Sequence, residues 1–239
     1  MTTSNCKNYN AMKLVISTIR SNYKYHKLTW SGKAPLLEKM KATKSVFVHI
    51  PKTGGKSILN ALYGVEAHNA AGHATAQFYL SVFGCKKFDD FYKFAFIRNP
   101  WDRLYSGYNF AQLGGFGFEQ DMALKKELHE LSFEQFVKNW LTPQEIDNWT
   151  IFRPQSEYIL NESGDLMIDK IYYFENIVNA FEELSERFQC DIRLPHINKS
   201  KSVKYYKDVY DSEMIEIIAR LYAVDLKFFN YDFEGIRRD

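Results

Sequence analysis

The run Ser45-Val-Phe-Val-His-Ile50 is β-branched and aromatic and is closed by Pro51, the pattern of a short buried strand. Lys52-Thr-Gly-Gly-Lys-Ser57 follows as a glycine-bearing loop, and Ile58, Leu59 and Leu62 then recur at helical spacing. A second apolar run, Tyr92-Lys-Phe-Ala-Phe-Ile97, ends at Arg98. Asn99 suits the N-cap of a helix and Pro100 its first turn. Trp101, Leu104, Tyr105 and Tyr108 continue that helix with one buried face. Ser132-Phe-Glu-Gln135 is a capping-box pattern, predicting a helix with Phe133, Phe136, Val137 and Trp140 inward. Lys170-Ile-Tyr-Tyr-Phe174 predicts a further strand. Asn176 is expected to cap the next helix, whose face is Ile177, Phe181, Leu184 and Phe188. A last helix is predicted from about Asp211, with Met214, Ile217, Ile218 and Leu221 on one side.

Strand, loop and helix alternate, so the fold expected is α/β, with a P-loop-like central parallel sheet flanked by helices. Such sheets bind ligands beyond the C-terminal ends of their strands, where both conspicuous loops are expected. Residues 1–43 read as an N-terminal extension, helical over Tyr9 to His26, and residues 44–239 as a single domain. There is no internal repeat or low-complexity tract.

Composition narrows the function. A chain of 239 residues can bury a sizeable core, and 46% hydrophobic with 16% aromatic residues argues against disorder. A net charge of +2 is too small for a broad nucleic-acid footprint, so any anion site must be local. Cys6, Cys85 and Cys190 are odd in number and lack CxxC spacing, which argues against a disulfide framework or a zinc site and favours a reducing, cytoplasmic location. No stretch reaches 18 apolar residues, so no membrane span is expected. Met12 to Ile19 is interrupted by Lys13 and followed by Arg20, and reads as an amphipathic helix rather than a signal peptide.

In the first loop, Gly54 and Gly55 allow a tight turn that brings N–H groups close to a ligand. The helix behind it adds unpaired N–H groups and a positive dipole end. Lys52 and Lys56 supply charge, and Thr53 and Ser57 supply hydroxyls, so the segment is an anion cradle sized for phosphate or sulfate. Its Gly-Lys-Ser resembles the end of a nucleoside-triphosphate P-loop, but Ile50 stands where the leading glycine would be. Tyr172-Tyr-Phe-Glu175 is the nearest imitation of a Walker-B strand. An ordinary Gly-Gly turn is the bland alternative.

In Phe94-Ala-Phe-Ile-Arg-Asn-Pro-Trp-Asp-Arg-Leu-Tyr-Ser-Gly-Tyr108, Arg98 leaves the strand end, and Ser106 follows about two helical turns later. A guanidinium and a hydroxyl converging on one phosphate is sound chemistry. The bland alternative makes Arg98 and Arg103 surface charges and Ser106 a packing residue.

Taken together, PKTGGKS and IRNPWDRLYSGY resemble the two nucleotide-binding signatures of sulfotransferases dependent on 3′-phosphoadenosine-5′-phosphosulfate (PAPS), specifically the carbohydrate branch called sulfotransferase family 2. The resemblance extends to Gly72-His-Ala-Thr75, Arg153 to Tyr158, Leu194 to Ser200 with Tyr205 and Tyr210, and Asp225 to Tyr231, covering about residues 45–233. It implies a 5′-phosphosulfate site at Lys52, Thr53, Gly54, Gly55, Lys56 and Ser57, and a 3′-phosphate site at Arg98 and Ser106. It also implies that Asn198, Lys199, Ser200 and Lys201 close over the nucleotide, with a solvated polar loop as the alternative.

The chemistry implied is in-line transfer of a sulfuryl group to a hydroxyl, with PAPS as donor, PAP as product and a carbohydrate as the favoured acceptor. The scheme requires no metal, nucleic acid or membrane. Lys52 is the candidate for charge at the bridging oxygen, and His73 for the general base, with His68 and Glu66 as competitors. His49 reads as structural, His196 as part of the nucleotide loop, and His26 and His129 as surface residues. Arg153 and Gln155 are candidates for contact with donor or acceptor. Trp149 and Phe152 could stack on a sugar or simply pack. Two other readings stay open at this point: a P-loop kinase using ATP-Mg, and a non-catalytic nucleotide-binding module.

Overall fold

The computed structural model describes residues 35–65, 73–190, 192 and 205–237. The elements in chain order are α1 (Pro35–Ala42), β1 (Ser45–Val48), α2 (Gly55–Tyr63), α3 (Ala76–Phe83), α4 (Cys85–Asp90), β2 (Tyr92–Ile97), α5 (Pro100–Gln112), α6 (Glu119–Leu128), α7 (Phe133–Gln135), α8 (Pro143–Asn148), α9 (Ser156–Ile159), β3 (Lys170–Tyr173), α10 (Ile177–Phe188), α11 (Ser212–Leu221), α12 (Ala223–Phe228), β4 (Tyr231–Asp232) and β5 (Gly235–Ile236). The chain divides into two compact units, Met1–Ile97 with Glu157–Ile197 and Arg98–Ser156 with Asn198–Asp239.

The first unit holds a three-stranded, wholly parallel sheet in the order β1-β2-β3, so the expected α/β architecture is observed. Val48 pairs with Ala95 and Ile97 with Tyr173 at its C-terminal edge. Parallel strands covered by helices lose water on both faces, which explains why Val46, Phe47, Val48, Phe94, Phe96 and Ile97 are all fully buried. Each such side chain contributes roughly 1.5–3 kcal/mol on burial. Phe47 stacks on Phe94 at 5.2 Å and Phe96 on Tyr172 at 5.1 Å, carrying one aromatic layer across the strands. Lys93 is buried in the middle of this sheet. Its ammonium donates to the carbonyls of Phe88 (3.1 Å) and Phe91 (2.7 Å) and pairs with Asp169 at 3.0 Å.

β1 ends two residues before the predicted Ile50, because Pro51 and the loop end its ladder. β3 stops at Tyr173, and a 3₁₀ turn over Phe174–Asn176 leads into α10. Asn176 sits at the N-cap of α10 but makes no side-chain capping bond, contrary to its predicted role. Ile177, Phe181 and Leu184 form the buried face of that helix, and Phe188 is only half-buried.

In the second unit, Asn99 caps α5 as its sequence predicts, accepting from the Trp101 N–H at 3.1 Å. Ser132 and Gln135 form a complete capping box, but the helix it opens is brief. The chain widens into a π turn over Phe136–Trp140, which buries Phe136 and Val137 and leaves Phe133 and Trp140 half-buried. α11 begins after Asp211, whose Oδ1 accepts from the Met214 N–H at 2.8 Å. It is not the last helix: α12 and an antiparallel β4–β5 hairpin follow. Among the described residues, no helix is long and apolar enough to cross a membrane.

Candidate active site

The loop from His49 to Gly54 connects β1 to α2. Lys52 turns the chain through a left-handed conformation (φ 67°), which costs a side-chain-bearing residue about 1–2 kcal/mol. Gly54 repeats that conformation (φ 83°), where a Cβ would come within 2.9 Å of the Phe174 ring. α2 then starts at Gly55 with no side chain capping its N-terminus. Such an end leaves N–H groups of the first turn without helical partners. Lys52 and Ser57 are half-buried beside it and Lys56 is exposed. Thr53 behaves differently from its sequence reading. It is fully buried and its hydroxyl donates to the Ile50 carbonyl at 2.9 Å, so it closes the loop instead of facing an anion.

Two histidines meet at this loop. The His49 ring lies against Gly55 so closely that a Cβ there would fall 1.9 Å from its Cδ2 and Nε2 atoms. Only glycine tolerates that approach. Burial holds the His49 imidazole well below the usual histidine range, and the nearby His73 and Lys56 charges push it further down. His73 is half-buried at the lip of α3. Its ring centre lies 4.4 Å from that of His49, and its Nδ1 lies 3.1 Å from the His49 carbonyl oxygen. A carbonyl only accepts, so Nδ1 holds the hydrogen, and Nε2 of the neutral ring keeps its lone pair. That nitrogen is equipped to take a proton.

The second unit presents Arg98, the residue after β2. Its Nε and Nη2 donate to the two carboxylate oxygens of Asp102, each at 2.7 Å, a bidentate pair one helical turn apart. Gln155 fixes the Arg98 backbone from both sides. Its Oε1 accepts the Arg98 N–H at 2.9 Å, and its amide donates to the Arg98 carbonyl at 2.8 Å. Asp225, fully buried, accepts the N–H groups of Gln155 (2.7 Å) and Ser156 (2.9 Å). Ser106 lies half-buried on α5, in the same unit as Arg98.

A family model described as the sulfotransferase family matches residues 41–232. The chain belongs to that family. Neither the curated proteins nor the solved structures offered a match. Membership makes a transferase the class of enzyme and sulfuryl transfer the class of chemistry.

Several candidates in this sulfotransferase chain have other duties. Gln155 is fully buried, with its amide committed to the Arg98 backbone, so it positions that residue and is withdrawn from ligand contact. Phe152 is fully buried against Phe136, which removes it as a sugar platform. Trp149 is half-buried and donates its indole N–H to Glu145 at 3.0 Å. Arg153 donates to the Asp147 carbonyl at 2.9 Å. Arg103 is buried, its guanidinium donating to the carbonyls of Ile151, Phe152 and Arg153, so the surface-charge reading fails for it. Glu175, the nearest Walker-B imitation, is exposed. Glu66, His68, His196, Asn198, Lys199, Ser200 and Lys201 lie outside the described residues. Sequence reasoning missed the contact of His49 with Gly55 and the anchoring role of Asp225. No local pattern announces which side chain lies against a glycine.

Proposed function

We propose that this sulfotransferase-family chain moves the sulfuryl group of PAPS to a hydroxyl, with a carbohydrate as the acceptor class, and that His73 is the general base. The observation that carries this reading is the join between His73 and the glycine loop: Nδ1 donates to the carbonyl of His49, three residues ahead of Lys52. That arrangement leaves Nε2 as the basic atom beside a loop suited to an anion. The acceptor oxygen attacks sulfur as the bond to the bridging phosphate oxygen breaks. The hydroxyl proton passes to His73 Nε2, and PAP leaves with the bridging electrons. Lys52, with Lys56 and the N-terminal N–H groups of α2, offsets the charge that builds on the leaving oxygen. Arg98 and Ser106 hold the 3′-phosphate. A planar guanidinium has the fork geometry that suits a phosphate.

Calorimetry with PAP and with ATP-Mg tests the donor. Tight PAP binding without added metal is expected, and a preference for ATP-Mg turns the assignment to a kinase. Arg98→Ala should weaken PAP far more than adenosine-5′-phosphosulfate, which lacks the 3′-phosphate, and equal losses reject the 3′ role. Transfer of radiolabelled sulfate to a glycan panel tests the acceptor. His73→Ala should lower turnover by about 10²–10⁴-fold, the usual yield of a general base, while PAP still binds. Unchanged turnover removes His73 from that role.

A further inference from the structure

The sequence alone assigns His49 nothing beyond structure. We propose that His49 is a positioning residue for the base: it ties His73 to the glycine turn and dictates which imidazole nitrogen of His73 carries the hydrogen. This inference rests on the proposed role of His73. The His49 carbonyl, by accepting from Nδ1 at 3.1 Å, selects the Nδ1–H form of the neutral His73 ring. Unconstrained histidine side chains favour the opposite form, with hydrogen on Nε2, which would leave no base facing the acceptor.

A carbonyl can select only if it is held still, and the His49 ring is what holds it. That ring is 9% exposed, stacks on Phe47 at 5.6 Å, touches the bare Cα of Gly55 and meets the His73 ring at 4.4 Å. Three parts of the site converge on it: Phe47 on β1, Gly55 at the first position of α2, and His73, three residues ahead of α3. The charged groups that face it are His73 and Lys56, and both oppose a second positive charge there. The ring packed against His73 is therefore held neutral. Gly55 thereby acquires a second duty besides shaping the anion turn. It provides the recess without which the His49 ring could not reach its place.

Imidazole ¹⁵N resonances of the ligand-free protein at about pH 8, above the ordinary histidine pKa, read the hydrogen position directly. His73 should be protonated on Nδ1 in the wild type. His49→Ala, which opens the space, should shift His73 toward the Nε2–H form and lower turnover at least tenfold, with the donor KM changed less than threefold. His49→Phe, which keeps a ring in the recess and the same carbonyl, should restore the wild-type form and most of the turnover. A wild-type His73 protonated on Nε2, or a His49→Ala protein with unchanged tautomer, overturns the proposal. Should His49→Ala not fold, Gly55→Ala applies the same displacement from the other side and is read by the same resonances. The resonance arm needs no donor, so absence of sulfuryl transfer by the wild type would count against the reaction and leave the tautomer result standing on its own.

Discussion

Lys52 occupies a backbone conformation that glycine adopts freely and lysine does not. A residue kept there at a cost of about 1–2 kcal/mol is kept for its side chain. Lys52→Gly and Lys52→Ala should therefore separate two effects. Both lose turnover, but the glycine variant should be more stable than the alanine variant by about 1 kcal/mol, read from urea midpoints. Equal stabilities would mean that the loop relaxes on substitution and stores no strain. The loop was legible at this scale because Pro51, Gly54, Gly55 and Lys52 each carry a local rule. Thr53 was misread because a hydroxyl in an anion motif and a hydroxyl that closes a turn have the same sequence signature. Arg103 and Asp225 were equally opaque, since charged residues are rarely fully buried unless paired, and their partners are remote in sequence.

Elements were read well wherever the hydrophobic period was clean. β2 was predicted to the residue, and α5 begins at the predicted cap. The errors fall at ends. The π turn behind the capping box and the extra helix α12 answer to packing within the second unit rather than to local propensity. The Asp225 carboxylate on α12 supplies both acceptors for consecutive N–H groups at Gln155 and Ser156. Asp225→Asn keeps the shape and leaves one acceptor oxygen in place of two. An orphaned buried N–H costs about 1–3 kcal/mol, so the variant should unfold at a clearly lower urea concentration with an unchanged slope. Asp225→Ala should be worse. A midpoint matching wild type would show that water replaces the carboxylate without cost.

For the whole molecule, the alternation of apolar runs with loops was enough to predict a parallel sheet, and the three strands pair as a parallel set. Because His49 is held neutral by burial, its titration couples to global stability. Its folded pKa lies below the unfolded value of about 6.5, so the unfolded chain gains the proton first as pH falls. Stability should be flat with respect to this group above that value and should decline below it, until the folded group also protonates. His49→Phe should remove the decline that sets in as pH falls below about 6.5, as measured by urea midpoints against pH. Glu183 and Asp211 are depressed carboxylates, and their contributions are lost only lower, as pH falls through and below the usual carboxylate range near 4. A His49→Phe curve parallel to wild type across the upper window would place the neutral ring elsewhere.

The amide of Gln155 also imposes a limit on chain length. By pairing with both polar groups of one peptide-bearing residue, it grips Arg98 as a neighbouring strand would. A grip that takes both groups of a single residue has no slack. A residue inserted or deleted between Ile97 and Pro100 would shift the wrong peptide into that grip and reverse the side from which the guanidinium projects. The junction should accept changes of side chain far more readily than changes of length.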